Sequence, residues 1–68
     1  MEAKFEQVVG FVLKKPQYYV KFAVLEYQKN KKAGNSEMAS FWRRVLETVA
    51  DKLGGNWAKI IQSELRCP

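Results

Sequence analysis

SEMASFWRRVLETVADKL, residues Ser36–Leu53, is the stretch whose periodicity decides the fold. Met38, Phe41, Trp42, Val45, Leu46, Val49, Ala50 and Leu53 recur at intervals of three and four. On a helix they therefore cover about half the circumference. Ser40, Arg43, Arg44, Glu47, Thr48 and Asp51 fill the other half. Asn35 or Ser36 suits the N-cap, and Glu37 places a negative charge in the first turn, where the helix dipole favours it. Arg43 and Glu47 stand four apart, a contact worth about 0.2–0.5 kcal/mol. Gly54-Gly55 stops the helix.

Three more helical segments surround this one. Asn56 is a good N-cap for a segment in which Trp57, Ile60, Ile61 and Leu65 share a face, with Lys59, Gln62 and Arg66 outside. Glu64 falls inside that stripe and reads as part of a fraying last turn. Near the N-terminus, Phe5, Val8, Val9 and Val12 follow the i, i+3, i+4, i+7 pattern, flanked by Phe11 and Leu13. Pro16 ends that helix, because it lacks an N–H and drives Lys15 out of the α region, and it suits the first turn of the next.

The helix that begins at Pro16 is apolar nearly all round. Tyr18, Phe22 and Leu25 form one stripe, while Tyr19, Val20, Ala23, Val24 and Tyr27 cover much of the rest. Such a helix is buried on more than one side, so helix 2 is expected to be central or to meet a partner as well. The sequence thus predicts an all-α domain over 1–68, a four-helix bundle or orthogonal array with helices at about 2–14, 16–32, 36–53 and 56–66.

Composition narrows the function. With no histidine and only Cys67, the 68-residue chain offers neither an internal disulfide nor a metal cluster, and no cofactor is expected. Chains this short have little stability to spare, so packing alone, or a second copy, must supply it. The acids Glu2, Glu6, Glu26, Glu37, Glu47, Asp51 and Glu64 are spread over helix faces rather than paired, and nothing stands ready to activate the Cys67 thiol. Gly54-Gly55 lacks the Lys-Ser/Thr of a phosphate-binding loop. An enzyme acting on a small-molecule substrate is not expected. The longest apolar runs, such as Val8–Leu13, fall far short of the roughly 20 residues that span a bilayer. Glu2 and Glu6 replace the basic start of a secretory signal. A cytoplasmic protein is the expectation.

Three kinds of partner remain. Residues 14–32 hold Lys14, Lys15, Lys21, Lys29, Lys31 and Lys32 against Glu26 alone, a net +5 that equals the excess of the whole chain. With tyrosines among them, these lysines are candidates for nucleic-acid binding, phosphates meeting lysines and bases stacking on rings. Lysines near helix C-termini also complement the helix dipole and aid solubility without any ligand. The leading expectation is instead protein–protein contact, by homodimerisation or docking through helix 2, with Tyr19, Val20, Val24 and Tyr27 as the contact residues.

Two resemblances touch part of this reading. The stretch Arg44 to Ile61, in which a helix ends in Gly-Gly-Asn-Trp, resembles the middle of a Myb/SANT repeat, where a glycine and a tryptophan mark the same turn. It covers about a quarter of the chain; no tryptophan opens helix 3 at the spacing of that repeat, and no recognition helix follows Arg66. Amphipathic helices with lysine and tryptophan also resemble small leaderless bacteriocins, which implies membrane action. Glu47 and Asp51 beside Arg43 and Arg44 depart from the nearly pure cationic face that such action favours.

Overall fold

The long apolar periodicity around Leu46 becomes a helix of 18 residues, and three shorter helices pack about it. A computed structural model describes residues 2–66. It contains α1 (Glu2–Lys14), α2 (Pro16–Lys32), α3 (Ser36–Leu53) and α4 (Gly55–Arg66). The expectations for Cys67 lie outside the described residues. The all-α fold and the four segments agree with the sequence reading, and no described helix is long and apolar enough to cross a membrane.

The connections are so short that single residues carry the turns. Lys15 alone separates α1 from α2, and its carbonyl accepts from the amides of Tyr18 and Tyr19, both at 3.1 Å. The α2–α3 turn is a Schellman motif. The Asn35 amide donates to the Asn30 carbonyl at 2.9 Å and the Gly34 amide to Lys31 at 3.2 Å, with Gly34 at φ 78°. Asn35 then caps α3, its side chain accepting from the Met38 amide at 3.2 Å.

Gly54 does two jobs between α3 and α4. Its amide donates to the Ala50 carbonyl at 2.8 Å and its carbonyl accepts from Ala58 at 3.2 Å. At φ 63° and ψ −164° it occupies a region open essentially to glycine alone. This moves the start of α4 back by one residue: Asn56, expected as the N-cap, is the second residue of the helix.

The core is shared between two elements. α2, expected to be central, packs on all three other helices, and so does α3, which holds the more extensive contacts; only α1 and α4 do not approach each other closely. Val45, Leu46 and Val49 on α3 and Ile61 on α4 are fully enclosed. Around them lie Val9 and Val12 of α1, Val20, Ala23, Val24 and Tyr27 of α2, and Ala39 and Ala50 of α3. Both helices meet three neighbours, but the broad apolar face of α3 is enclosed more fully, whereas α2 leaves Tyr18, Phe22 and Leu25 exposed. The assembly is a slab of 30 × 28 × 17 Å.

Glycine substitutions separate the roles of two positions. Gly10 lies inside α1 with open space where a Cβ would stand, so Gly10→Ala stabilises by about 0.5–1 kcal/mol. Gly54 also has space but the wrong backbone angles for a side chain, so Gly54→Ala destabilises by about 1–3 kcal/mol. Urea denaturation of both variants measures the two signs.

Candidate binding face

Side chains on α2 sort into two stripes, and the spacing of each explains its fate. Val20, Ala23, Val24 and Tyr27 follow i, i+3, i+4, i+7 and turn inward. Tyr18, Phe22 and Leu25 follow i, i+4, i+7 on another side and remain exposed, Tyr18 at 66%. The inward stripe, two valines, an alanine and the Tyr27 ring, belongs to the core that α2 shares with α3, its most extensive neighbour.

This corrects three of the four residues expected to contact a partner. Val20, Val24 and Tyr27 are buried in the protein's own core, at 3%, 6% and 4% exposure. Only Tyr19 of that set reaches the surface. What α2 shows to solvent is the other stripe, Tyr18–Phe22–Leu25, together with Tyr19.

Two apolar grooves flank the exposed stripe and extend it onto neighbouring helices. The first, about 300 Å³, lies between α1 and α2 and is lined by Val8, Phe11, Val12, Tyr19, Phe22 and Trp42. The second, about 320 Å³, lies between α2 and α4, where Leu25 and Ile60 stand beside Val24 and Trp57. Ile60, expected inward with Ile61, is half exposed there, and Glu64 lines the same groove, half buried. Among the described residues, Phe11, Tyr18, Tyr19, Phe22, Leu25, Met38 and Ile60 are the large exposed apolar side chains. All but Met38 belong to α2 or to the two grooves beside it. Singly scattered apolar side chains are ordinary on a protein exterior; here they are gathered around one helix.

An aromatic chain underlies the first groove. Phe5 meets Phe41 edge-on at 6.0 Å, Phe41 meets Trp42 at 5.4 Å, and Trp42 meets Phe22 at 5.8 Å, all near perpendicular. Such pairs contribute about 0.5–1.5 kcal/mol each beyond their burial. The Arg44 guanidinium covers the Phe5 ring at 4.9 Å. The Trp42 Nε1–H is covered and has no acceptor within reach.

The six lysines named from sequence are all exposed but do not form one patch. Lys21, Lys29 and Lys32 share the side of Leu25, at spacings of four and seven. Lys31 instead continues the buried stripe and lies over the Tyr27 ring at 5.8 Å. Lys14 and Lys15 sit at the corner where α1 joins α2. The only salt bridge among the described residues is Arg43–Glu47 at 3.4 Å, the expected i, i+4 pair, so none of the six has an acid partner there. A cleft of about 500 Å³ between α3 and α4 is lined by Arg43, Glu47, Asp51, Gln62 and Arg66 among others and holds none of the large exposed apolar side chains. No trio of metal-ligating side chains comes together among the described residues.

The Tyr18–Phe22–Leu25 stripe is visible in the sequence, but its exposure is not. Phe11 and Ile60 are absent from the contact residues expected there. Phe11 lies off the 5, 8, 9, 12 stripe, which is a legible signal; Ile60 shares its stripe with Ile61 and gives none. No protein-family model, curated protein or solved structure matches this chain.

The two stripes of α2 respond differently to truncation. Val24→Ala removes buried methyl groups and costs about 1–2 kcal/mol, whereas Tyr18→Ser and Leu25→Ser change stability by about 0.5 kcal/mol or less. Thermal or urea melts of the three variants check the contrast, and equal losses would return Tyr18 and Leu25 to the core.

Proposed function

We propose that this chain is a small non-catalytic binding protein that docks on another protein through the outer side of α2 and the two grooves beside it. The observation that carries the reading is the collection of Phe11, Tyr18, Tyr19, Phe22, Leu25 and Ile60 on and around one helix. Aromatic residues dominate that set, as they do the energetic centres of protein interfaces. The contact residues are therefore Tyr18, Tyr19, Phe22 and Leu25, with Phe11 and Ile60 on the flanking helices. A second copy fits this face poorly. A two-fold contact centred on α2 would set Lys21, Lys29 and Lys32 of one copy against the same cationic group of the other, and like charges in apposition oppose association.

The test is site-specific photocrosslinking in cells that express the protein. A benzophenone side chain replacing Tyr18 or Leu25 gives a discrete adduct with one other protein, and the same group replacing Asp51, on the polar side of α3, gives none. Adducts of equal yield from all three positions, or from Asp51 alone, count against the reading.

Nucleic-acid binding remains a second reading because Lys14, Lys15, Lys21, Lys29, Lys31 and Lys32 have no acidic partner among the described residues and Tyr18 stands open near three of them in sequence. If it holds, replacing Lys14, Lys15 and Lys21 with Gln lowers the slope of log affinity against log salt by about 2–3, roughly one for each phosphate no longer neutralised. Filter binding to mixed-sequence single strands at several salt concentrations measures this. Absence of binding at low salt removes the reading.

A further inference from the structure

Resting on the docking role proposed above, we infer that the groove between α1 and α2 receives an amphipathic helix from an acidic region of the partner. Its shape is the first argument. Val8, Phe11 and Val12 line one wall at i, i+3, i+4 spacing, so the wall follows the axis of α1; Tyr19 and Phe22 form the other wall, and Trp42 also lines the groove. α1 is about 20 Å long at 1.5 Å per residue, enough to align with three to four turns of a guest helix. An apolar trough between two helices takes the apolar stripe of a third.

Charge selects the kind of guest. Lys14 and Lys15 follow Phe11 by three and four residues, Lys4 precedes it by seven, and Lys29 follows Phe22 by seven; Glu26, half buried, is the acid nearest that wall by spacing. The trough is thus apolar within and cationic at its edges, the complement of a helix with leucine-like residues on one side and carboxylates flanking them. A second copy of this chain, with the same cationic edges, is excluded on the same ground.

Trp42 distinguishes a peptide from a lipid surface. Its covered N–H lacks an acceptor, and a donor in that state costs about 1–3 kcal/mol. A guest peptide seated against Trp42 carries carbonyls and carboxylates that can accept from this donor. Of a lipid, the hydrocarbon tail that an apolar trough would take carries no acceptor, its ester carbonyls and phosphate lying at the polar head. The anionic membrane is accordingly the disfavoured occupant.

The experiment follows the two indole N–H resonances of the 15N-labelled full chain, assigned with Trp57→Phe. The probe is a synthetic peptide of about 18 residues, leucine on one face and glutamate on the other, and its control carries lysine for glutamate. Saturable movement of the Trp42 resonance larger than that of Trp57, with the lysine peptide at least about tenfold weaker, is the expected result. Phe11→Ser and Tyr19→Ser each weaken binding about tenfold or more without lowering the melting temperature, and Lys14→Glu with Lys15→Glu narrows the preference for the acidic peptide. Equal binding of both peptides overturns the inference. So does a shift confined to Trp57, a Trp42 shift produced by phosphatidylglycerol vesicles but not by the peptide, or one produced by concentrating the protein alone. If the peptide fails while crosslinks from Tyr18 persist, the acidic-helix inference falls and the docking role stands. If those crosslinks are absent, the docking role itself falls.

Discussion

Val45, Leu46 and Val49 are shut away from water altogether, and on one helix such complete enclosure requires neighbours on several sides. At roughly 1.5–3 kcal/mol for each aliphatic side chain removed from water, that patch is the largest concentration of stabilising burial along the chain. It explains why α3 is the most fully enclosed helix although α2 also packs on all three others. Each other helix contributes one stripe to α3, and α1 and α4 never meet. The fold is a packed pair, α2 and α3, with α1 and α4 each laid against both.

The short connections turn that arrangement into a slab. With one residue between α1 and α2 and one between α3 and α4, each pair must turn sharply at Lys15 and at Gly54. A chain so folded has little length left to wrap its own exterior. Its surface, 5031 Å², exceeds the about 4,400 Å² typical of a monomer of this mass. The surplus matters because part of it is apolar and gathered along α2, where α1 and α4 diverge and leave the two grooves open. The grooves are thus consequences of how the turns place the helices, and the aromatics within them give that geometry its chemical character.

Most of the architecture was legible because its signals are local. Pro16, Asn35 and Gly54 mark boundaries by backbone chemistry that does not depend on the rest of the molecule, and the residues of α3 declare one face only. Even so, Asn56 shows the limit: its side chain suits a cap, but Gly54 can end one helix and begin the next, and that geometry appears only when α4 is seated. The site was half legible. Two apolar stripes on α2 were visible in the spacing, yet hydrophobicity alone cannot rank Tyr18–Phe22–Leu25 against Val20–Ala23–Val24–Tyr27. What decides it is which side the other helices cover: Val20, Ala23, Val24 and Tyr27 join the core, while Tyr18, Phe22 and Leu25 do not.

The outward stripe then poses a physical problem that the sequence also answers. Tyr18, Phe22 and Leu25 in water invite aggregation, the more so on a small domain with no disulfide to hold it. Lysines at 21, 29 and 32 stand on the same side, and their charge keeps copies of the protein apart without filling the grooves. On the docking role proposed above, positive charge that opposes self-association also favours an acidic surface, so the same lysines would serve both ends. That is why the helix-capping account of the lysines and the binding account need not compete: Lys31, bent over Tyr27, is accounted for by the fold, whereas Lys21 and Lys29 flank an apolar side chain that the fold leaves open.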